Sequence, residues 1–558
     1  MSLATCGWRP ALVLFWAAAL QAQTPSAPAT RPSSADETCV VSGIVITKAD
    51  TSPLKGATVR LWNDEDNERT IAAKSGADGR FELKNIPAGK YRLRVSRTGY
   101  FDAQYGQTKP SEPGATFSLR PGQHMTDLVF KLGRAGVISG RIFDEDGEPM
   151  AGVSVIVLRN SYQNGRQELD AVFQSESNDL GEFRLYGLSP GRYYVSAQDP
   201  AWNHVVGEPE FSGETKAGGE KGYAKLYYPN ALDPGKASPL IVKEGEEIPS
   251  IDFLMKEIAV YRIRGRIVNL VTKHGMRNTQ VQVLRRNGSA DWMGFSDNNS
   301  PQPDGAFDIP QIAPGEYTVF ATLFDEGKIY TALQDVDVVS ADIDGLLLTV
   351  TAGITIPGKV NWDGKPSLAR DDVWISLDSV QAKFGIGSKR ANIDDNWQFT
   401  LKEVADGTYK VALTGLSRDC YIKEVRFGDS AVPDTEIHVK GAGGDLEISV
   451  SSQGSRVDGT ILNSESLPTP GVWVVVVPEQ SKRKFLRLYK SALTDQYGHF
   501  EIHGLAPGNY KLFSWQGVER NAWQDPEFLK DYESKGEAIE VKDRDEKSID
   551  LKLIQAKD

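Results

Sequence analysis

The chain has little cysteine, little histidine and no long apolar run. Its 558 residues include 3 cysteines and 6 histidines. Apart from Cys6 near the N-terminus, the cysteines are Cys39 and Cys420. They lie far apart along the chain, so a structural disulfide between them is not expected. The main apolar stretch, residues 11–20, is too short for a permanent membrane anchor, which needs about 20 residues. We therefore expect no transmembrane anchor.

The motifs of common enzyme classes are also missing. The chain has no Gly-x-Ser-x-Gly, no Gly-x-x-x-x-Gly-Lys-Ser/Thr, no Gly-x-Gly-x-x-Gly and no Cys-x-x-Cys. No histidine has a glutamate three residues later, so the zinc motif of carboxypeptidases is absent too. A net charge of −12 without a basic cluster argues against nucleic acid as a partner. These absences predict a protein that is not an enzyme and carries no cofactor.

The composition is that of a folded chain rich in turns. Hydrophobic residues make up 40% and charged residues 25% of the sequence, which is ordinary for a globular protein. The 53 glycines and 29 prolines come without helical periodicity. We therefore expect many short strands and almost no helix.

A phenylalanine is followed ten residues later by a tyrosine at five places in the chain, always with a glycine two places before the tyrosine. The pairs are Phe81 and Tyr91, Phe183 and Tyr193, Phe307 and Tyr317, Phe399 and Tyr409, and Phe500 and Tyr510. A glycine that opens an alternating run precedes each pair, at Gly43, Gly140, Gly265, Gly358 and Gly459. Such a period indicates a tandem array of similar units.

Each unit is predicted to be a small β-sandwich. Phe81 and Leu83 alternate with polar residues, as in a strand with one buried face. Pro87 and Gly89 end that strand and reverse the chain into the strand of Tyr91. About seven short strands per roughly 100 residues is the count of a two-sheet sandwich. The predicted fold class is therefore all-β, a tandem array of about five Ig-like β-sandwiches.

The N-terminus has the layout of a secretory signal peptide, with Arg9 before the apolar residues 11–20. We expect a signal peptide at 1–22 and a flexible leader at 23–38, hence export to the periplasm, the cell surface or the medium. The expected sandwiches span residues 39–133, 134–257, 258–351, 352–452 and 453–558. Because few residues separate them, we expect a semi-rigid rod.

The repeated units resemble the carboxypeptidase regulatory-like family over residues 40–558. The resemblance rests on Ser42-Gly43-Ile44-Val45, on Asp78-Gly79-Arg80-Phe81 and on Gly89-Lys90-Tyr91. The fourth unit departs most, because Trp397 replaces the glycine two places before its phenylalanine. The resemblance implies that each unit is a transthyretin-like sandwich, often described as a carbohydrate-binding-like fold. It also implies a non-catalytic accessory module of the kind that occurs in tandem in secreted bacterial proteins.

Three classes of function remain open. The first is a secreted scaffold or adhesive binding protein whose partner is a polysaccharide or an envelope protein. The second is a dedicated carbohydrate-binding protein, because Trp202, Trp292 and Trp523 fall in polar loops where an exposed indole could stack on a sugar. The competing interpretation is that these indoles cover sandwich ends or joints. The third is a hydrolase with an unrecognised site.

Three other candidate sites are weaker. His499 and His503 lie about 13 Å apart on an extended strand, too far to share a metal without a bend. The acidic segments at 63–67 and 144–147 could hold calcium, but a solvated turn explains them as well. Lys48 stands where a related sandwich family forms an isopeptide bond, but the glutamate that family requires is replaced here, and the other units have no matching lysine.

Overall fold

The structure, a computed structural model, describes residues 38–63, 70–107, 109–110, 113–163, 165–199, 220–272, 275–276, 278–286, 301–326, 328–368, 373–380, 387–441 and 443–555. Within them the chain is almost entirely β, with a single five-residue α-helix and a few 3₁₀ turns. The expected signal peptide and all but the last residue of the expected leader lie outside this description.

The strands of the described residues form ten sheets, which pair into five sandwiches along the chain. Each sandwich encloses its own cluster of buried apolar side chains, and the repeated phenylalanines and tyrosines all lie in these clusters. The predicted fold class is confirmed. The domain boundaries stay a prediction, and the strand Glu220–Tyr223 pairs with the opening strand of the third sandwich although it lies in the range expected for the second.

The strands of the first three sandwiches follow in chain order. The first sandwich contains β1 (Cys39–Thr47), β2 (Thr58–Asn63), β3 (Thr70–Lys74), β4 (Arg80–Ile86), β5 (Gly89–Ser96), β6 (Ala103–Gln104), β7 (Phe117–Leu119) and β8 (His124–Leu132). The second contains β9 (Gly136–Phe143), β10 (Ser154–Gln163), β11 (Arg166–Glu176), β12 (Glu182–Leu188) and β13 (Gly191–Gln198), then, after β14 (Glu220–Tyr223), β15 (Leu226–Tyr227), β16 (Leu240–Val242), β17 (Glu247–Ile248) and β18 (Phe253–Leu254). The third contains β19 (Glu257–Asn269), β20 (Thr279–Arg285), β21 (Ala306–Ile312), β22 (Gly315–Asp325), β23 (Lys328–Val338) and β24 (Ile343–Val350).

The last two sandwiches are built the same way. The fourth contains β25 (Ile354–Asp363), β26 (Trp374–Ser379), β27 (Lys389–Asn392), β28 (Gln398–Val404), β29 (Gly407–Thr414), β30 (Tyr421–Phe427), β31 (Ser430–Ala431), β32 (Glu436–Val439) and β33 (Leu446–Ser451). The fifth contains β34 (Ser455–Leu462), β35 (Trp473–Pro478), β36 (Lys490–Leu493), β37 (His499–Leu505), β38 (Gly508–Gln516), α1 (Pro526–Lys530), β39 (Glu537–Val541), β40 (Glu546–Ser548), β41 (Leu551–Lys552) and β42 (Ile554–Gln555).

One sheet of each sandwich, which we call the opening sheet, is centred on the first strand of the unit. In the first sandwich β1 pairs antiparallel with β4, the strand of Phe81, and parallel with the closing strand β8. Gly43 pairs directly with Phe81, and the same glycine-to-phenylalanine register recurs in the other four units. A Cβ atom at Gly43 would overlap the carbonyl oxygen of Leu128 on the closing strand. The glycine is therefore required because the parallel strand approaches too closely for a side chain.

The second sheet, which we call the tyrosine sheet, is reached through a corner between the phenylalanine strand and the tyrosine strand. In the first sandwich β4 lies in the opening sheet and β5 in the tyrosine sheet. At each corner the buried tyrosine hydroxyl donates a hydrogen bond to the carbonyl oxygen four residues earlier. The pairs are Tyr91 to Pro87 (2.8 Å), Tyr193 to Ser189 (2.8 Å), Tyr317 to Ala313 (2.9 Å), Tyr409 to Ala405 (3.0 Å) and Tyr510 to Ala506 (2.8 Å).

Each corner begins with a residue in the left-handed region of backbone conformation. This residue comes just before the apolar residue midway between phenylalanine and tyrosine, and the five are Asn85 (φ 56°), Gly187 (φ 79°), Gln311 (φ 59°), Glu403 (φ 59°) and Gly504 (φ 66°). Glycine and asparagine accept this conformation readily, whereas most side chains are strained there. The motif search did not single out this position, because three of its five residues are not glycine.

The fourth unit keeps the turn geometry although its sequence departs from the others. Trp397 adopts φ 62°, close to the 75° of Gly79 in the first unit. Its carbonyl accepts a hydrogen bond from the Val360 amide at 2.8 Å, as the Gly79 carbonyl does from Val45. The Trp397 ring packs edge-on against Trp362, with 4.8 Å between ring centroids. Aromatic packing therefore offsets part of the backbone strain at this position.

We predict that Gly187→Ala destabilises the protein by about 1 kcal/mol, because an alanine is strained in the left-handed conformation. No atom lies within 4 Å of a Cβ built at Gly187, so steric overlap does not contribute. Gly187→Asn is the matched control and should cost less than half as much, since Asn85 occupies the same place in the first unit. Urea unfolding measures both changes, and equal losses would contradict the backbone explanation.

We predict that Tyr510→Phe destabilises the fifth sandwich by about 1.5 kcal/mol, because the Ala506 carbonyl loses its partner. Burial raises the pKa of Tyr510 to about 12 from its usual value of 10.0. A tyrosine whose pKa is higher when folded stabilises the protein fully below pH 10 and loses that stabilisation as the pH rises from 10 to 12. Urea unfolding between pH 9 and pH 12 should show a smaller decline for Tyr510→Phe than for wild type, and an identical decline would contradict this account.

Candidate binding sites between the sandwiches

The structure describes one of the three tryptophans proposed for sugar stacking. Trp202 and Trp292 lie outside the described residues. Trp523 is 1% exposed and packs in a second apolar cluster of the fifth sandwich. A buried indole presents no face to a sugar, so the binding expectation is wrong for Trp523, and the alternative of a residue covering a sandwich fits instead.

The apolar cluster around Trp523 lies on the outer face of the tyrosine sheet of the fifth sandwich. The segment after β38 folds over that face through short helical turns, including α1. Trp515 stacks parallel to Phe513, with 4.7 Å between ring centroids, and Trp523 and Tyr532 pack around it. The buried Leu529 and Tyr532 show that these helical turns cover a core.

The fifth sandwich also contacts the second and first sandwiches. The Tyr162 ring, in the long hairpin of β10 and β11, lies 6.4 Å from the Phe528 ring. The Asn521 side-chain amide donates to the Tyr162 carbonyl at 3.5 Å, and Gln496 accepts from the Ser118 amide at 3.1 Å. A straight rod keeps the first and last domains apart, so the rod expectation is wrong: the chain folds back on itself. We call the contacts between the second and fifth sandwiches the fold-back interface.

Charge contributes to the fold-back interface. The Arg159 guanidinium lies 3.9 Å from the Glu519 carboxylate. Burial raises the pKa of the Glu519 carboxyl above its usual range, and Arg159 only partly opposes that rise. Sequence reasoning missed this interface, because Tyr162 and Phe528 are separated by hundreds of residues.

We predict that Tyr162→Ala loosens the fold-back interface, because the aromatic contact with Phe528 is lost. Small-angle scattering should then show a larger radius of gyration than for wild type. Tyr186→Ala is the control, since Tyr186 is an exposed tyrosine of the same sandwich at 55% exposure, and it should leave the dimensions unchanged. A wild-type profile that matches a straight rod would contradict the fold-back arrangement.

His503 and Lys48, two of the groups considered as reactive, lie at contacts between neighbouring sandwiches, whereas His499 is an exposed residue of β37. His503 Nδ1 is 2.8 Å from the Asp419 carboxylate of the fourth sandwich, and its Nε2 is 3.1 Å from Glu501. Lys48 pairs with Glu244 of the second sandwich at 2.9 Å, so its amine faces a carboxylate. Within the described chain, no group of three or more histidines, cysteines and acids is placed to hold a metal ion.

The fourth and fifth sandwiches are joined by a partly buried ion pair. The Arg487 guanidinium lies 2.9 Å from the Asp434 carboxylate, and Asp434 also accepts a hydrogen bond from the Leu486 amide at 3.1 Å. Both side chains are about one-fifth exposed. Removing one partner from such a pair leaves an uncompensated charge, so the pair fixes the orientation of the two sandwiches.

A polar cleft of about 860 Å³ separates the first and second sandwiches. Its walls carry Lys74, Arg94 and Arg97 from the first sandwich and the exposed Tyr186 from the second. Asp102, the sole acid among the described lining residues, pairs with Arg94, with 2.6 Å between Nε and Oδ2. The cleft is therefore cationic in a protein of net negative charge.

The two acidic segments proposed for calcium are only partly described. Residues 64–67 lie outside the described residues. In the other segment one Asp144 carboxylate oxygen accepts the backbone amides of Asp146 and Glu148 at 3.0 and 2.8 Å. This is the arrangement of a self-bonded turn. Among the described helices, none combines the length and apolar character needed to cross a membrane.

The first two sandwiches match a known domain family. Residues 40–132 and 137–208 match the carboxypeptidase regulatory-like domain. A search of curated proteins finds no match.

Comparison with solved structures adds distant similarities. The minor pilin GBS52 of Streptococcus agalactiae is 14% identical over 40% of this chain and 96% of its own, with a TM-score of 0.22. The TIE protein of Bacillus anthracis is 12% identical over 93% of this chain and 74% of its own (TM-score 0.15). The major pilin subunit BcpA of Bacillus cereus is 9% identical over 74% and 99% (TM-score 0.15). At these scores no argument rests on them.

Proposed function

We propose that the protein is an exported, non-enzymatic scaffold that binds a partner at the cell surface or in the envelope. The observation that carries the proposal is that several charged side chains form ion pairs between sandwiches. Arg487 with Asp434, His503 with Asp419, and Lys48 with Glu244 each join two sandwiches. Groups that would be candidates for chemistry are thus engaged in holding domains together.

The repeated core supports the same proposal. The phenylalanines, tyrosines and glycines that recur in all five units are explained by packing, by the corner hydrogen bonds and by the close approach of the parallel strand. Each of these recurring residues therefore has a structural role, and a catalytic role is not needed to explain it. What differs from unit to unit is the outer surface of the sandwiches, which is where a scaffold varies to bind its partner.

The first experiment tests export. Expression of the full chain in a Gram-negative host, followed by fractionation and mass spectrometry, should recover protein that starts after residue 22 outside the cytoplasm. Retention in the cytoplasm with Met1 intact would contradict export.

The second experiment tests binding against catalysis. Purified mature protein should be retained on an isolated envelope or polysaccharide fraction and should show no turnover in a broad screen of peptidase and glycosidase substrates. A variant with both Trp202→Ala and Trp292→Ala tests the narrower possibility of sugar stacking through these loops, and loss of glycan binding in it would support that possibility. Turnover that survives repurification would contradict the scaffold proposal.

A further inference from the structure

Two arginines face each other on the outer side of the tyrosine sheet of the first sandwich. Arg60 on β2 pairs directly with Arg94 on β5 in the antiparallel register. Their neighbours Leu61, Leu93 and Val95 are buried, so both arginines point away from the core. Like charges directly opposite each other on adjacent strands destabilise a sheet. Asp102 pairs with Arg94 and offsets part of this repulsion, with 2.6 Å between Nε and Oδ2. The exposed guanidinium of Arg60 has no such carboxylate within the described chain.

Other cations and polar groups extend this face. Lys74 on β3 pairs with Thr58, one outward position along β2 from Arg60. Gln104 on β6 pairs with Arg94 on its other side. Arg60 and Lys74 are exposed and form no ion pair with a carboxylate of the described chain. The half-buried Trp62 lies one outward position further along β2. We call this set the cationic face; the loop at 64–69 is not part of it.

The equivalent position is different in each of the other sandwiches. The residues that pair there, three places after each corner tyrosine, are Ile156 with Ser196, Gln282 with Phe320, Ser376 with Ala412, and Val475 with Phe513. In the second and fifth sandwiches this face is covered by the chain itself, by Tyr227 and by the segment that holds Trp523. The first sandwich alone places two cations at this position, and it leaves them exposed.

We propose that the cationic face of the first sandwich binds an acidic polysaccharide, a chain of uronate sugars, that continues into the cleft shared with the second sandwich. The inference rests on the proposed scaffold function and names its ligand class. Arginine guanidinium groups bind carboxylates through two parallel hydrogen bonds. A ligand carboxylate would give Arg60 the kind of partner that Asp102 already gives Arg94.

The remaining groups of the surface favour a sugar over an acidic polypeptide. The Thr58 hydroxyl can both donate and accept hydrogen bonds, which suits sugar hydroxyls. The Gln104 side chain offers its NH₂ group as a donor, while its oxygen accepts from the Gly114 amide at 3.1 Å. Trp62 on the face and Tyr186 in the cleft offer aromatic surface for the apolar side of a sugar ring. A net charge of −12 disfavours long-range attraction of polyanions, so recognition must come from these local contacts.

The test uses the mature full-length protein and immobilised polygalacturonate. Arg60→Gln and Lys74→Gln are each expected to weaken binding about tenfold, the loss of one charge-assisted interaction. Lys131→Gln, the same charge change on β8 of the opposite sheet, is the control and should bind like wild type. Binding of wild type should fall as sodium chloride is raised. Arg60→Gln should melt no lower than wild type, because the exposed Arg60 forms no ion pair within the described chain, so weaker binding cannot come from unfolding.

Two further probes separate the alternatives. Neutral dextran should not bind, and polyglutamate should bind much more weakly than polygalacturonate. Equal binding of polyglutamate would overturn the sugar assignment, and binding of polygalacturonate unaffected by Arg60→Gln and Lys74→Gln would overturn the site. If these variants and wild type bind an envelope fraction equally and none binds polygalacturonate, this inference fails while the scaffold proposal stands.

Discussion

The hydrogen bond from each corner tyrosine to the carbonyl four residues before it is the contact on which the rest of the structure depends. At the corner the chain leaves one sheet and enters the other, so backbone groups lose their strand partners. The buried tyrosine supplies a donor there and fills the space between the sheets with its ring. Because this hydrogen bond fixes the geometry of the corner, Phe81 in one sheet and Tyr91 in the other point into the same core.

Because the inner faces are constrained, variation falls on the outer faces of the sandwiches. In the first sandwich the outer face of the tyrosine sheet carries Arg60 and Arg94. In the fifth sandwich the corresponding face is covered by aromatic residues around Trp515. The same scaffold position thus serves a solvent-exposed, charged surface in one unit and an internal contact in another. This division lets repeated domains keep one core and still differ in what they contact.

Much of the fold was predictable because its determinants are local. A segment of about fifteen residues contains the turn at Gly79, the alternation around Phe81 and the corner at Gly89. Strand and turn preferences act over a range of this length. Trp397 shows the limit of that reasoning, since tertiary contacts hold it in the conformation of the glycine it replaces. The rod expectation failed for a related reason: short connections constrain neighbouring domains, but they do not govern contacts between distant ones such as Tyr162 and Phe528.

By itself the amino-acid sequence determined the all-β class, the fivefold repeat and the alternation that buries Phe81 and Leu83, because alternation along a strand and glycine at a tight turn are properties of short segments. Only the tertiary structure decided that Trp523 is buried, that the fifth sandwich contacts the second, and that Arg60, Lys74 and Arg94 share one face. The sequence shows no basic cluster, since these cations are spread over three strands. Strand pairing and sandwich packing join residues that are remote along the chain, and no local pattern records them.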